Sequence, residues 1–344
     1  MPQSSAGILN LQNINRSKIV RNLLVSDPDW ERALHPDVDA RDIRNLNLFI
    51  SCDYSQQEIR ILAEISGDEL LIRQLQTGRD IHCLVGNTLT GYSEDRIRAE
   101  KELRARIKAI VFGIVYGSRP NSLFRQMVHD GIDVSLSEVE RLYNEFFNTY
   151  TGVKRYIERQ HRRAERLGYV DTLFGPFRRY IRTQGDSRGT YWGNQAVNTP
   201  IQGSAHQFLL AAMALLDMEF DKYNELQDPC LEVHDELVFF VQLGRARKAY
   251  RQLKALFEVD VPRYLSEVFS YAFRVPFVSE CEAGFSFGAR VRYEGESSGH
   301  LLEAWRKQHR EVEQMSCREL MPKPLQKRAA RGGDRARSPR SRKK

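Results

Sequence analysis

The sequence predicts an α+β fold in which strands far apart along the chain meet in one sheet, with a long helical region between them. Three observations predict it. An apolar run, Leu46-Asn47-Leu48-Phe49-Ile50-Ser51-Cys52, leads straight into Asp53 and reads as a buried strand. Two further runs, Cys230-Leu231-Glu232-Val233 and Leu237-Val238-Phe239-Phe240-Val241, flank His234-Asp235-Glu236 and read as a hairpin with an acid at its tip. Between them, about residues 70–169 are dominated by helical periodicity.

The elements follow in order. Residues 1–45 are polar and irregular, with Pro28 and Pro36 marking loops and one short strand expected near 18–24. The first buried strand places Asp53 at a sheet edge that a solvated ion can reach. From Gln57 the period turns helical, with Ile59, Leu62, Ala63 and Ile65 apolar, and Gly67-Asp68 stops that helix. The clearest helix spans 100–115, broken by Gly113 and ended near Gly117-Ser118-Arg119-Pro120. A helix over 137–150 puts Val139, Leu142, Tyr143, Phe146 and Phe147 on one apolar face, and a highly charged one covers 153–167. The glycines of Gly168-Tyr169-Val170-Asp171-Thr172-Leu173-Phe174-Gly175 bracket an alternating run that predicts a hairpin arm. A long helix over 190–223 is interrupted or kinked near Pro200. After the acid-bearing hairpin and another helix, a last strand begins at 274–277. An amphipathic helix over 301–320 precedes a basic, low-complexity tail expected to be disordered.

The bulk composition limits the function classes. With 344 residues, 41% hydrophobic and 10% aromatic, the chain can bury a large core, in one large domain or two ordinary ones. A net charge of +7 points to an anionic partner, nucleic acid first, although the tail from Lys323 contributes much of the excess. Five cysteines without a C-x-x-C pair argue against a zinc or disulfide framework and point to a reducing compartment. The start MPQSSAGILN has no signal-peptide pattern, and no apolar run is long enough for a bilayer, so a cytoplasmic protein without membrane partners is expected.

The chemistry lies in three ordered segments. Asp53 and Asp235 supply two carboxylates from strands distant in sequence. Either alone is an ordinary strand-end or turn aspartate. Together they can bridge two hard cations about 4 Å apart if their strands are neighbours. Glu236 stands beside them, to assist or to face solvent. Between the acids, Arg104, Lys108, Phe112 and Tyr116 recur every four residues and form one stripe on a helix. Two cations that can clamp phosphate oxygens are followed by two aromatics that can stack on a sugar or base. An ordinary amphipathic helix would hold its cations on the outer face, away from the aromatics.

These segments resemble the three polymerase motifs of the DNA polymerase I family, family A. The resemblance runs from Asn10-Leu11-Gln12-Asn13-Ile14 to about Phe277 and includes Asp80-Ile81-His82, Gly168 to Gly175, and Asn198-Thr199-Pro200-Ile201-Gln202-Gly203. It implies a right-hand polymerase: an antiparallel palm sheet carrying Asp53 and Asp235, and helical fingers. The implied division is 1–70 for leading loops and the first part of the palm, 71–167 for the fingers, 168–290 for the rest of the palm, and 291–344 for the short helix and basic tail.

By this resemblance the chain is a DNA-directed DNA polymerase acting on primer–template DNA and deoxynucleoside triphosphates. Asp53 and Asp235 ligate two Mg²⁺ ions, with Mn²⁺ as a substitute and the Tyr54 carbonyl as a further ligand. Gln56, His82, Arg104 and Lys108 contact the triphosphate. Glu58 with Tyr116 forms a steric gate against a ribose 2′-hydroxyl, and Phe112 packs on the sugar, where phenylalanine accompanies poor use of dideoxynucleotides. Arg179, Asn198, Gln202 and His234 touch primer or template.

The sequence departs from the family in several places. The thumb and Thr-Gly-Arg segment that precede the position of Asn10 in the family find no match, nor does an exonuclease domain. Weak DNA binding, no proofreading by this chain, and a separate thumb- or exonuclease-bearing polypeptide are therefore expected. Gly193-Asn194 stand where the family has Glu-Arg, and His206-Gln207 where it has Ala-Asp. Two other readings compete: a non-catalytic DNA-binding subunit of a replication complex, and an RNA polymerase of related architecture, which Glu58 at the sugar edge disfavours.

Overall fold

The buried run ending in Asp53 forms the central strand of a five-stranded antiparallel sheet. The computed structural model describes residues 24–175, 178–181, 192–226, 229–233 and 235–314. In chain order the elements are β1 (Asn47–Tyr54), α1 (Gln57–Ser66), α2 (Glu69–Gln76), α3 (Ile81–Thr90), α4 (Glu94–Ala99), α5 (Lys101–Val115), α6 (Pro120–His129), α7 (Leu136–Thr149), α8 (Thr151–Leu167), β2 (Tyr169–Asp171), β3 (Arg178–Tyr180), α9 (Trp192–Met218), β4 (Leu231–Val233), β5 (Glu236–Gln242), α10 (Ala246–Ala255), α11 (Val261–Phe269), β6 (Ser279–Gly284), β7 (Val291–Arg292) and α12 (Ser298–Gln314). The chain divides into two compact units, one of Met1–Tyr54, Met213–Phe257 and Ser279–Lys344, the other of Ser55–Ala212 and Glu258–Val278.

The first unit holds the sheet, in the order β4-β5-β1-β6-β7. β1 is flanked on both sides, which is why its sequence is apolar almost without alternation. One face, with Leu48, Ile50, Cys52 and Tyr54 all buried, packs against α10 and the turn after it. There the Tyr54 hydroxyl donates to the Phe257 carbonyl at 2.8 Å. The other face carries an apolar cluster of Phe49, Val233, Val238 and Phe287. Helix α12 closes this unit through Trp305, fully buried between Phe285 and Trp30 at ring distances of 5.1 and 6.2 Å.

Among the described residues, the second unit is helical apart from the short β2–β3 ribbon and the connecting turns. Three of its helices start at side-chain caps that the sequence supplies: Asp68 accepts from Leu71 N, Asp80 from His82 N and Cys83 N, and Ser135 from Glu138 N. Asp68 also accepts from Gly152 N at 2.8 Å, so one buried carboxylate joins α2 to the start of α8. Glu64 is buried on α1 and accepts from the Arg274 and Val275 amides at 2.6 and 2.7 Å and from the Tyr271 hydroxyl at 3.0 Å.

Several expectations need correction. Gly113 does not break α5, which runs on to Val115. A Cβ there would sit 2.6 Å from the Leu123 side chain, so the missing side chain admits α6. The helix ends at Tyr116 and Gly117, the latter at φ +69°. The arm over 168–175 forms only its first strand there, and its partner is β3. Helix α9 passes through Pro200 and ends at Met218. No strand begins at 274–277, because the Arg274 and Val275 amides are committed to the Glu64 carboxylate and Pro276 has no amide hydrogen. The strand starts at Ser279 instead. The strand expected near 18–24, the Asn10 to Ile14 match, His234 and the tail beyond 314 fall wholly or mainly outside the described residues.

Candidate active site

In the first unit the two acid-bearing segments are neighbours. β1 pairs antiparallel with β5, and Asp53 stands in register with Glu236. Asp235 occupies the turn between β4 and β5, one residue before that pair. The local cause is the chain's own pattern: apolar runs on both sides pair as strands, and the polar tip is left at the end of the sheet. Burial first, then the charges of Asp235 and Glu236, push the Asp53 carboxyl up to about 8, against a stabilising hydrogen bond from the Tyr54 backbone. Asp53 Oδ1 is buried and has no hydrogen-bond partner among the described residues. Two carboxylates this close repel unless a proton or a cation lies between them.

Among the described residues no group of three or more His, Cys, Asp or Glu side chains is arranged to hold a metal ion. A pair of aspartates is nevertheless a fitting set for Mg²⁺, which keeps several waters and takes one or two protein carboxylates together with substrate phosphates. The buried, unpartnered Asp53 oxygen beside a second aspartate is a donor suited to such an ion.

Glu236 is half-buried and ion-paired. Arg290 grips it in a two-pronged ion pair, with Nη1 to Oε1 at 2.6 Å and Nη2 to Oε2 at 3.3 Å. No sequence pattern pointed to Arg290, because its partner lies 54 residues away across the sheet.

In the second unit the stripe on α5 forms as its spacing requires. Packing of α3 on α5 sets its surroundings: Gly86 of α3 has no side chain, and Ile107 of α5 fills that space. This brings Asp80 and His82 beside the stripe. Arg104 Nη2 pairs with Asp80 Oδ2 at 2.7 Å. The rings of His82 and Phe112 lie 5.9 Å apart, Phe112 and Tyr116 stack at 6.3 Å, and Lys108 Nζ sits 5.4 Å from the Phe112 ring centre. His82 is only 3% exposed. Its pKa falls to about 4, chiefly through burial, with Asp80 opposing and the Lys108 and Arg104 charges adding. It is therefore neutral at physiological pH.

The same unit brings together three residues from separate segments. The Tyr116 hydroxyl donates to Glu58 Oε1 at 3.0 Å, and Gln202 Nε2 donates to the same oxygen at 3.4 Å. Gln56, the residue before α1, has φ +56° and ψ +38°, and only Ser270 shares a positive φ among the described non-glycine residues. Such strain is commonest at functional sites. Asn198 Oδ1, on α9, is buried with no partner among the described residues. Arg179 is exposed on β3, opposite Val170. The role of Asp80 in holding Arg104 was not read from the sequence, although an aspartate just before a helix was the available signal.

Comparison with known proteins shows the family to which the chain belongs. The sequence profile described as DNA polymerase family A matches residues 5–289. DNA polymerase I of Caldicellulosiruptor bescii is 31% identical over 82% of the chain and 32% of its own length. DNA polymerase I of Chloroflexus aurantiacus is 32% identical over 71% of the chain and 24% of its own length. The chain thus spans about a quarter to a third of these relatives. Among solved structures, the polymerase domain of Pol1 from M. smegmatis, in complex with DNA primer-template and dNTP, superposes with a TM-score of 0.65 at 27% identity, covering 82% of this chain and 45% of that one. Among the described residues no helix is long and apolar enough to cross a membrane. The antiparallel sheet with helical regions, the matched span and these relatives together place the chain in DNA polymerase family A.

Proposed function

We propose that this chain is a DNA-directed DNA polymerase that adds deoxynucleotides to a primer 3′ end as a template directs. The observation that carries the reading is the Asp53–Asp235 pair on neighbouring segments, with its buried oxygen unpartnered and its Asp53 pKa raised to about 8. Asp53 and Asp235, with the Tyr54 carbonyl, would hold two Mg²⁺ ions, or Mn²⁺ in their place. The chemistry supplied there by bound metal is activation of the primer 3′-hydroxyl and neutralisation of the leaving pyrophosphate.

The remaining steps belong to the chain's own side chains. Arg104 and Lys108 bind triphosphate oxygens, Arg104 by exchanging its Asp80 partner for phosphate. His82, neutral at pH 7, contributes a hydrogen bond and no charge. Gln56 contacts the nucleotide from a backbone conformation fixed in advance. Phe112 packs on the sugar, and the hydrogen-bonded Glu58 and Tyr116 close its 2′ side, which favours deoxyribose over ribose. Arg179, Asn198, Gln202 and His234 contact primer or template, and the basic excess contributes salt-dependent affinity. A separate thumb- or exonuclease-bearing polypeptide is a candidate partner, and a gain in processivity on adding one would support it. The test of the reading is Mg²⁺-dependent primer extension by the purified chain. DNA binding without incorporation would favour a non-catalytic subunit.

A further inference from the structure

Strand pleating puts Ser51 and Asp53 on one face of β1. Asp53 is in register with Glu236 on one side and Glu280 on the other, and Ser51 with Val238 and Glu282. One end of that face therefore carries four carboxylates, while its other end is the apolar cluster around Phe49, Val238 and Phe287. Arg290 sits at the border, only 5% of its side chain exposed. Its guanidinium lies over the Phe287 ring at 4.1 Å, and its Nε donates to the Phe287 carbonyl at 3.2 Å. Its outer nitrogens reach the Ser51 hydroxyl, both oxygens of Glu236, and Glu282 at 3.6 Å.

This fork fixes Glu236 in position. A planar guanidinium holds a carboxylate in one rotamer, which a lysine cannot reproduce. Glu236 follows Asp235 directly and faces Asp53 across the strand pair. A freed Glu236 could turn toward any cation held by the two aspartates.

We propose that Arg290 is a positioning residue for the divalent-cation site: by locking Glu236 it withholds that carboxylate from the cation and thereby sets the strength and place of metal binding at Asp53 and Asp235. This rests on the polymerase reading of that site. It predicts an unusual direction of change. Loss of Arg290 tightens metal binding while slowing the reaction, whereas a merely structural arginine would weaken both.

The test is Mn²⁺ binding to the full chain without DNA, followed by electron paramagnetic resonance, beside primer extension at saturating Mg²⁺. Arg290→Met should bind Mn²⁺ more tightly, on the order of threefold to tenfold, and lower kcat with little change in KM for the nucleotide. In Arg290→Met/Glu236→Gln the tightening should vanish. Arg290→Lys keeps the charge and the fold but loses the fork, and should fall between wild type and Arg290→Met, so it carries the test if the methionine variant does not fold. Unchanged or weaker Mn²⁺ binding in folded Arg290→Lys and Arg290→Met would overturn the proposal while leaving the polymerase reading intact. Absence of any Mn²⁺ binding by the wild type would overturn both.

Discussion

Replacing Asp53 with asparagine should stabilise the metal-free protein, and should do so most at high pH. The Asp53 pKa is raised from 3.8 to about 8. The folded state therefore binds this proton more tightly than the unfolded chain, and stability falls as pH rises from about 4 through about 8. The loss is roughly 1.4 kcal/mol per pH unit across that window, so about 4 kcal/mol at pH 7. That figure is a ceiling, because side chains and water relax around a buried charge. Asparagine has nearly the same shape and no charge to bury. A net gain of about 1–3 kcal/mol at pH 7–8 is expected, which in a protein of this size raises Tm by very roughly 2–10 °C. The assay is thermal unfolding in EDTA at pH 5, 7 and 8, then with Mg²⁺. The variant should exceed wild type at pH 8 and converge on it toward pH 5. Added Mg²⁺ should raise the wild-type Tm and leave the variant's unchanged, since a ligand stabilises only the state that binds it. An Asp53→Asn protein less stable than wild type at pH 8 in EDTA, or one stabilised equally by Mg²⁺, would refute the reasoning.

Three further outcomes are expected. Glu58→Ala removes the acceptor shared by Tyr116 and Gln202, and should raise ribonucleotide incorporation by at least tenfold, on the order of 1.4 kcal/mol of lost discrimination; competition between ribo- and deoxynucleotides measures it. Phe112→Tyr should improve use of dideoxynucleotides, read as the ratio of kcat/KM for the two terminators and substrates. Gly152→Ala should cost about 2–3 kcal/mol in urea unfolding, because the new methyl would lie 2.7 Å from the Asp68 Cα and would disturb the carboxylate that joins α2 to α8.

The sequence made legible whatever is written in local periodicity. The apolar run of β1 reads as a buried strand, while its central place in the sheet appears only once β5 and β6 pair on either side of it. The hairpin around Asp235 is announced by its flanking runs, and the four-residue repeat of α5 places its cations and aromatics on one stripe. What escaped depends on distant partners. Gly113 reads as a break until Leu123 of α6 is seen to occupy its space. Residues 274–277 look strand-like, but their amides serve Glu64, which lies about two hundred residues earlier. Arg290 shows nothing in its own neighbourhood, because its meaning lies in Glu236 and Ser51 on other strands. Asp80 carries a helix-cap signal, yet its hold on Arg104 appears only when α3 packs on α5.

The most direct test of the central claim is template-directed primer extension by the purified chain at low salt, with and without Mg²⁺, beside an Asp53→Ala/Asp235→Ala control. The account predicts incorporation that follows the template, requires the divalent ion and disappears in the control. No incorporation by a wild-type chain that binds primer–template, or incorporation that survives in the control, would contradict it.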